Sequence, residues 1–492
     1  MHDIDPRDAT IAELRSENAA LRVQHSALQS QHSALQAEYI ELKSLLHDAL
    51  NRIAELEDRL GTNSRNSSMP PSSDLTRPPS KRRKTGKQGK RGAQKGHKKH
   101  SRELLPIEQV DAVKRLMPEQ CDTCGSTELA PEGSAPLRHQ VVEIPPVIAH
   151  VTEYQRCEAG CLRCGSITRA RLPTGVPRGG FGPRLMALVA LCTAKYRISK
   201  RGVQDLLSDF FGVTISLGMV PKIESKVSAW IRDAVEEARV FVRNEHVVHM
   251  DESGWREKNA KAWLWVAVAS LVTVFTVASS RSSKVSKDML GEGFVGFLVS
   301  DRWSAYSWVD PIMRQLCWAH LLRDFQKFVD RGGESKRIGE ALLGQAKLMF
   351  DWWHRVRDGT ISRATFTRRM KAVEVEVGRL VREAAKCEHD KTAGTGRDIL
   401  RFELSLWTFV HYEGIEPTNN GGERAIRKAV IWRKMSFGTQ SSGGSRYVER
   451  ILTVIETLRQ QQRNALDYLT EAGNAALRCE ETPSILPNPN RE

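Results

Sequence analysis

The first sixty residues place apolar side chains at a regular seven-residue spacing. Between Ile11 and Leu60 no Pro or Gly interrupts the pattern, which predicts a coiled coil over residues 11–60 that pairs two copies of the chain. Leucine holds one core position of the heptad, with Ala49 in its place once: Leu14, Leu21, Leu28, Leu35, Leu42 and Leu56. Asn18 at a core position is typical of a two-stranded coil. Because His25 and His32 make the core partly polar, a single amphipathic helix packed on its own chain is the alternative.

A basic segment follows the predicted coiled coil. Residues 61–104 are rich first in Ser, Asn and Pro and then in Lys and Arg, a composition that cannot bury a core. We therefore predict a disordered linker. Between Arg77 and Lys99 eleven residues are basic and none is acidic, which favours binding to DNA phosphates through counterion release. The residues assigned to this contact are Lys81, Arg82, Arg83, Lys84, Lys87, Lys90 and Arg91.

Two C-x-x-C pairs predict a small zinc-binding domain over residues 115–175. Cys121 with Cys124, and Cys161 with Cys164, are each followed by a glycine that permits the tight turn of a zinc knuckle. Four thiolates are a typical structural zinc site. The alternative ligands are Cys157, His139 and His150, and Cys157 competes with Cys161 for the third position. Buried thiols without a metal are the other interpretation.

Residues 180–240 have the hydrophobic period of helices. Two of these helices are joined by a short link at Gly212, so they could form a helix-turn-helix whose later helix, near Ser216 to Lys226, binds the major groove of DNA. Pro221 within that helix argues against this motif, and an ordinary helical hairpin in a connecting domain is an equal alternative.

Beyond residue 244 the hydrophobic period changes from helical to extended. Three apolar runs, a short helical segment and a fourth apolar run follow in order, which outlines an RNase H-like α/β core in a catalytic domain over residues 245–440. Charged amphipathic helices at about 335–400 predict a helical insertion, and 441–492 a C-terminal helical segment. The predicted fold class is multi-domain α+β: this core, the coiled coil, the zinc domain and a helical DNA-binding region.

Three acidic residues mark candidate chemistry in this domain. Asp251 and Asp301 each close an apolar run, and strand ends of this kind face a crevice where ligands bind. Because strand side chains alternate faces, only one of Asp251 and Glu252 can join Asp301. Glu423 follows a Pro/Asn/Gly turn at the predicted start of a helix. Such carboxylates suit two Mg²⁺ or Mn²⁺ ions that cut phosphodiesters, although caps or surface acids are the alternative.

The composition of the chain indicates the kind of binding partner and the cellular location to expect. The chain has 492 residues and a formal net charge of +15, which favours a polyanion such as nucleic acid. No apolar stretch reaches the roughly 20 residues of a membrane helix, and the N-terminal sequence MHDIDPRDAT is unlike a signal peptide. We therefore expect a cytoplasmic protein without a membrane partner.

Four motifs carry a resemblance to a known family. The segments are HMDESGWR, FLVSDRWSAY, QLCWAHLLRDF and EPTNNGGERAIRKAVIWRKMSFG. Together with the leucine zipper, the basic linker and the zinc knuckles, they resemble the insertion-sequence-66 family of bacterial DDE transposases over nearly the whole chain. The resemblance implies an RNase H-like catalytic domain and assigns catalysis and metal binding to Asp251, Asp301 and Glu423.

Further residues near these motifs gain expected roles. His320 and Arg323 lie one helical turn apart and could face the scissile phosphate, and Arg424 and Arg427 add positive charge beside Glu423. Structural roles are the alternative for His320 and Arg323. Core packing is favoured over base stacking for three aromatic residues: Trp303, Tyr306 and Trp318.

The predicted function is DNA cleavage at the ends of a mobile element and strand transfer into target DNA. The predicted partners are the terminal repeats, target DNA, a second copy of the chain and, where the element encodes them, accessory proteins. A nuclease of the same fold that only hydrolyses DNA is one alternative. The other is a non-catalytic DNA-binding regulator or decayed transposase, against which the three intact acids argue.

Overall fold

The computed structural model describes residues 6–63, 66, 103–130, 133 and 135–487. The basic residues predicted to bind DNA between Lys81 and Arg91 lie outside this range, as does most of the predicted linker. Within the described part of the chain, every helix is too short or too polar to cross a lipid bilayer.

The described residues form fourteen α-helices and seven strands. The helices are α1 (Pro6–Gly61), α2 (Pro183–Ala194), α3 (Lys200–Phe211), α4 (Met219–Trp230), α5 (Arg232–Arg243), α6 (Ser283–Leu290), α7 (Trp318–Asp330), α8 (Gly333–Arg357), α9 (Arg363–Ala384), α10 (Asp390–Leu400), α11 (Thr408–His411), α12 (Asn420–Ser436), α13 (Ser442–Gln460) and α14 (Ala465–Arg478). The strands are β1 (Glu158–Gly160), β2 (Ile167–Arg169), β3 (Val247–Glu257), β4 (Ala260–Val268), β5 (Thr273–Ala278), β6 (Phe297–Ser300) and β7 (Arg314–Leu316). The predicted mixed α+β class is confirmed.

The chain divides into two compact units. Of the described residues, one unit contains 6–63, 66, 238–438 and 486–487, and the other contains 103–130, 133, 135–237 and 439–485. The first unit holds α1, a helix of 56 residues that confirms the predicted N-terminal helix. Its core-position leucines are exposed; Leu28, for example, is 68% exposed.

A five-stranded mixed sheet organises the first unit. Its strand order is β5-β4-β3-β6-β7, with β5, β4 and β3 antiparallel and with β6 and β7 parallel to β3. Apolar side chains of β4 and β6 are buried almost throughout, because helices cover the sheet. The sequence pattern predicts Asp251 at a strand end, and this is wrong: β3 continues through Asp251 because its hairpin with β4 keeps pairing as far as Glu257 and Ala260.

A second apolar core lies among the helices that follow the sheet. Buried side chains of α7 pack with those of α8 and α9, including Phe325, Leu342 and Phe366. The helices α8, α9 and α10 occupy the part of the sequence where an insertion is predicted. Gly339 permits the closest approach, because a Cβ there would lie 2.8 Å from the Phe325 carbonyl oxygen and from Phe328 Cβ.

The second unit is mainly helical and includes α13 and α14. The Tyr447 hydroxyl donates to the carbonyl oxygen of Ala190 (3.0 Å), and Arg450 Nη1 donates to that of Ser228 (3.0 Å). The helices near the C-terminus therefore complete the core of α2 and α4.

Helices α3 and α4 occupy the predicted helix-turn-helix. Ser199 caps α3 through its side-chain oxygen, and Gly212 ends that helix with a left-handed φ of 62°. The helix α4 begins at Met219, three residues later than predicted, after a turn in which Met219 N donates to Ser216 O (2.9 Å). Pro221 thus lies in the first turn of α4, where a missing N–H breaks no helical hydrogen bond.

Two glycines of α8 give a matched test of the α7–α8 packing. Gly339→Ala should lower the free energy of unfolding by about 1–3 kcal/mol, since the added methyl overpacks the contact. A Cβ on Gly344 would have no atom within 4 Å, so Gly344→Ala should raise that free energy by up to about 1 kcal/mol through helix propensity. Urea unfolding of the two variants measures both, and equal effects would contradict the close approach.

Candidate metal centre

The sheet register brings Asp251 and Asp301 to the same place. Strands β3 and β6 pair in parallel, with Val247 opposite Phe297 and His249 opposite Val299. Continuing that register by two residues sets Asp251 opposite Asp301, which follows β6 directly. Paired residues of neighbouring strands share a face and lie about 5 Å apart, so both carboxylates lie on one face of the sheet.

These carboxylates repel one another in a partly buried setting. The pKa of Asp251 is raised well above its usual value, first by burial and then by the negative charges of Glu252, Asp301 and Glu423. The Asp251 Oδ1 accepts one hydrogen bond, from the backbone N–H of Glu252 (2.8 Å). Asp301 Oδ1 accepts from the backbone N–H of Trp303 (2.9 Å). Neither carboxylate has a salt bridge among the described residues, so the site carries excess negative charge.

Asn419 anchors the helix that carries Glu423. It is 1% exposed, and its Nδ2 donates to the carbonyl oxygen of Met250 in β3 (2.7 Å). Its Oδ1 lies 3.1 Å from His249 Nδ1, and its backbone N–H donates to Cys317 Sγ (3.1 Å). The start of α12 is therefore fixed against β3, which places Glu423 in the first turn near the aspartates.

The glycines before Glu423 lie within this helix. The sequence pattern predicts them in a turn, but α12 already begins at Asn420. A Cβ at Gly422 would lie 2.9 Å from Asn419 Oδ1, and one at Gly421 would lie 3.4 Å from the His249 ring. A side chain at position 422 would therefore press on the Asn419 amide that holds the helix start, whereas a Cβ at position 421 would make an ordinary contact with the His249 ring.

Two basic side chains of α7 face Glu423. His320 Nδ1 is 3.6 Å and Arg323 Nη2 is 3.5 Å from Glu423 Oε1. Burial, followed by the charge of Arg323, lowers the pKa of His320. His320 Nδ1 and Glu423 Oε1 are both buried without a hydrogen-bond partner. The structure therefore brings the predicted His320 and Arg323 to the third acid.

Glu252 is held away from this group, as alternation along the strand predicts. Its Oε1 accepts from Arg281 Nε (2.8 Å), and its Oε2 accepts from the Tyr306 hydroxyl. Its side chain is only 1% exposed. Burial raises the pKa of Glu252, and the charge of Asp301 adds to that rise. Glu252 therefore has a structural ion pair of its own.

The loop after Asp301 rests on a buried arginine. Arg314 is 1% exposed; its Nη2 donates to the carbonyl oxygen of Asp301 (2.7 Å), and its Nε donates to Ser300 Oγ (3.2 Å). Burial lowers the pKa of Arg314 to about 10. Tyr306 and Trp318 are fully buried, whereas Trp303 is 38% exposed with the Arg281 guanidinium 3.9 Å from its ring centroid.

The donor set fits divalent cations that prefer oxygen. Asp251, Asp301 and Glu423 offer carboxylate oxygens from β3, from the loop after β6 and from the first turn of α12, and one of these oxygens, Glu423 Oε1, is buried without a hydrogen-bond partner. In the part of the chain that the structure describes, the three carboxylates are not gathered within 4.8 Å of one another. The raised pKa of Asp251 reflects an excess of negative charge that a cation would offset.

The two cysteine pairs form matching turns in the second unit. Gly125 N donates to Cys121 O and Gly165 N donates to Cys161 O, both at 2.8 Å, and both glycines have a φ near 70°. Hydrogen bonds lower the pKa of Cys121, chiefly from Cys124, and that of Cys164, chiefly from Ser166. Over the described ranges, the pairs are not gathered within 4.8 Å into one four-thiol cluster.

Sequence reasoning missed Asn419, Arg314 and Arg281. Asn419 carried a usable signal, since Asn commonly precedes a helix. Arg314 carried none, because an arginine in a three-residue strand resembles a surface residue. The predicted Arg424 and Arg427 are exposed on α12.

The five-stranded mixed sheet with helices packed on it is consistent with an RNase H-like core. Comparison with known families is more specific: the model described as "Transposase IS66 family" matches residues 178–447, more than half of the chain. The chain therefore belongs to the IS66 family of transposases, which are metal-dependent DDE enzymes of DNA transposition. The resemblance drawn from the motifs is confirmed.

Two further similarities extend the comparison. A family of unknown function (DUF6444) matches residues 3–103. An uncharacterized protein, y4qI, of Sinorhizobium fredii (strain NBRC 101917 / NGR234) is 26% identical over 240 residues, which cover 44% of this chain and 43% of that protein. The match thus spans less than half of that relative's length.

Asp251→Asn should stabilise the metal-free protein at neutral pH. Because the folded state holds a proton that the unfolded chain releases, the free energy of unfolding falls as pH rises from the ordinary carboxyl pKa through the raised one. The uncharged side chain introduced by Asp251→Asn removes this pH-dependent fall in the free energy of unfolding. Each kcal/mol of that free energy recovered raises Tm by about 2–4 °C. Thermal unfolding in EDTA at several pH values measures the change.

With Mn²⁺ added, the wild type should have a higher Tm than Asp251→Asn, the reverse of the order expected in EDTA. A cation at 100 times its Kd adds about 2.7 kcal/mol to the wild type, whereas the variant lacks a ligand. Asp288→Asn, at an exposed acid of the same unit, is the matched control and should leave Tm unchanged. If Asp251→Asn melted below the wild type in EDTA at pH 7, the proposed repulsion would be refuted.

Proposed function

We propose that the protein cleaves DNA at the ends of an insertion sequence and transfers the freed 3′ ends into target DNA. The observation that supports this proposal is the register of β3 and β6, which when continued pairs Asp251 with Asp301, together with the Asn419 hydrogen bond that holds the start of α12, and so the turn with Glu423, on β3. The strand order and the helix α6 between β5 and β6 support an RNase H-like core.

Asp251, Asp301 and Glu423 would hold two Mg²⁺ or Mn²⁺ ions. When bound, such ions activate the attacking oxygen and stabilise the leaving oxygen of a phosphodiester. Asn419 keeps Glu423 in place while DNA binds, and Arg314 holds the loop that carries Asp301. Glu252 stays paired with Arg281 and so leaves the reacting face free.

The basic residues around this face would hold the DNA backbone. Arg323 lies beside Glu423, where its positive charge can meet the scissile phosphate. His320 is kept neutral by its lowered pKa and could donate a ring N–H to the same phosphate. Arg424 and Arg427 point their exposed side chains from α12 towards flanking phosphates in this proposal. The basic segment from Lys81 to Arg91 would add binding without base specificity.

The remaining parts would assemble the complex. Zn²⁺ held by Cys121, Cys124, Cys161 and Cys164 would order the segment before α2, supported by the matching turns of the two pairs. The helices α3 and α4 would contact terminal repeats. Two copies paired through α1 would hold two DNA ends, with accessory proteins of the same element as further partners. Such DNA lies in the nucleoid of a bacterial cytoplasm, where we place the protein.

Asp301→Asn and Glu423→Gln should each reduce metal-dependent cleavage by more than about 100-fold, since each replaces a carboxylate that would coordinate the cations directly. Purified full-length protein is incubated with Mn²⁺ and a labelled duplex carrying the ends of its element. Glu292→Gln, an exposed acid of the same unit, is the matched control and should cleave normally.

The products separate the rival functions. Cleavage followed by joining to target DNA supports a transposase, and cleavage without joining supports a nuclease that only hydrolyses. Specific binding of the ends without any metal-dependent cut would favour a DNA-binding regulator.

Pairing through α1 can be tested by placing lysines either at a core position or at an outer position of the heptad. Leu28→Lys with Leu35→Lys should convert a dimer into a monomer, because two charges would be buried in the coiled-coil core. Ser30→Lys with Ala37→Lys places the same charges at outer positions and should leave the dimer intact. Light scattering gives the mass of each protein, and a monomeric wild type would support the single-helix alternative.

A further inference from the structure

Three side chains of different chemistry meet where α7 and α12 begin. Cys317 immediately precedes α7, His320 lies in the first turn of that helix, and Glu423 lies in the first turn of α12. One ligand atom from each lies within 4.8 Å of the other two. Among the residues that the structure describes, no other such group of three or more Cys, His, Asp or Glu is found.

The spacing within this group fits a tetrahedral ion. Metal–ligand distances of about 2.0–2.3 Å hold neighbouring ligand atoms about 3.3–3.8 Å apart. His320 Nδ1 and Glu423 Oε1 are 3.6 Å apart, which is too long for a hydrogen bond and within this range. Cys317 and His320 are three residues apart at a helix start, so their side chains can share one face.

Two of the three ligand atoms have no hydrogen-bond partner. His320 Nδ1 and Glu423 Oε1 are both buried and without one. A buried polar atom in this state costs free energy, and a metal ion between the two would satisfy both at once.

The donor types favour a different cation from the one that the aspartates would hold. A thiolate, an imidazole and a carboxylate form a typical zinc ligand set that leaves a fourth position open, whereas Mg²⁺ prefers oxygen alone. Glu423 belongs to both groups, so its carboxylate cannot serve both cations fully.

Two features of the site oppose binding. Arg323 Nη2 lies 3.5 Å from the same Glu423 oxygen, and its charge disfavours a cation there. Burial raises the pKa of Cys317 to about 11, and its Sγ accepts the backbone N–H of Asn419. Binding must therefore release the thiol proton to solvent, and we expect a weaker site than a four-thiolate one.

We propose that Cys317, His320 and Glu423 form a second metal site that takes Zn²⁺ or a chemically similar ion, and that its occupation withdraws Glu423 from the aspartates. The binding stands on the geometry alone, whereas the inhibition that follows from it rests on the proposed function. Zn²⁺ would then inhibit a reaction that Mg²⁺ or Mn²⁺ supports.

Co²⁺ is the probe for binding, because a thiolate–Co²⁺ bond gives a near-ultraviolet charge-transfer band. Full-length wild type, Cys317→Ser and His320→Gln are titrated without DNA, and each variant should bind about one equivalent less. Cys387→Ser, at another buried thiol of the same unit, is the matched control and should titrate like the wild type. The cysteine pairs of the second unit are unchanged in all four proteins, so the differences report this site.

Equal Co²⁺ stoichiometry and equal spectra in all four proteins would overturn the site. Far-ultraviolet circular dichroism spectra that match the wild type show that the loss of one Co²⁺ equivalent does not come from misfolding of the variant. If one of Cys317→Ser and His320→Gln fails to fold, the other still tests the site.

Inhibition is read from cleavage in Mn²⁺ with increasing Zn²⁺. The Zn²⁺ concentration that halves the rate of each protein should rise by about tenfold or more in Cys317→Ser. An unchanged concentration would overturn the inhibitory role. Absence of cleavage in the wild type would instead refute the proposed function, while the Co²⁺ titration would still decide the site.

Discussion

The arrangement of the first unit depends on mutual repulsion among carboxylates of β3, of the loop after β6 and of the first turn of α12. Asp251, Glu252, Asp301 and Glu423 act on one another closely enough for their charges to raise the pKa of Asp251. Glu252 is offset by Arg281 and by the Tyr306 hydroxyl, and Glu423 lies near Arg323. Within the described ranges, Asp251 and Asp301 each accept a backbone hydrogen bond and have no cationic side chain paired with them, so their repulsion is not offset by a salt bridge.

The packed core around this site supplies the free energy that holds the acids together. Asp301 and Glu423 are far apart in sequence, and α7 to α11 fill the interval with a continuous buried cluster. The chain returns to the sheet from that cluster, and the buried amide of Asn419 then hydrogen-bonds the start of α12 to β3, while Arg433 bonds the later part of that helix to the same strand. The predicted insertion therefore has a structural role, because its packed helices connect Asp301 to Glu423 through a rigid core instead of a long flexible loop.

The sequence predicted elements better than it predicted their limits and contacts. The change from helical to extended period near residue 244 identified the strands, and the motif around Glu423 identified its helix. The predicted ends of two elements were wrong because contacts with other elements set them. Strand β3 continues through Asp251 because β4 keeps pairing with it in the hairpin. Helix α12 includes the glycines because Asn419 holds the start of that helix against β3. Arg314 could not be predicted at all, since its burial depends on the loop after Asp301 and on the ring of Phe402, which is distant in sequence.

The same side chains that position Glu423 also set its chemical surroundings. Cys317 Sγ accepts the N–H of Asn419, and thereby links the start of α7 to the start of α12. This link holds His320 and Arg323 beside Glu423, because both lie on the first turns of α7. A shift of α12 along β3 would therefore alter the distance of Glu423 from the aspartates and from His320 together. The position of the third acid and its distance from nitrogen and sulfur donors therefore both depend on the same set of contacts at the start of α12.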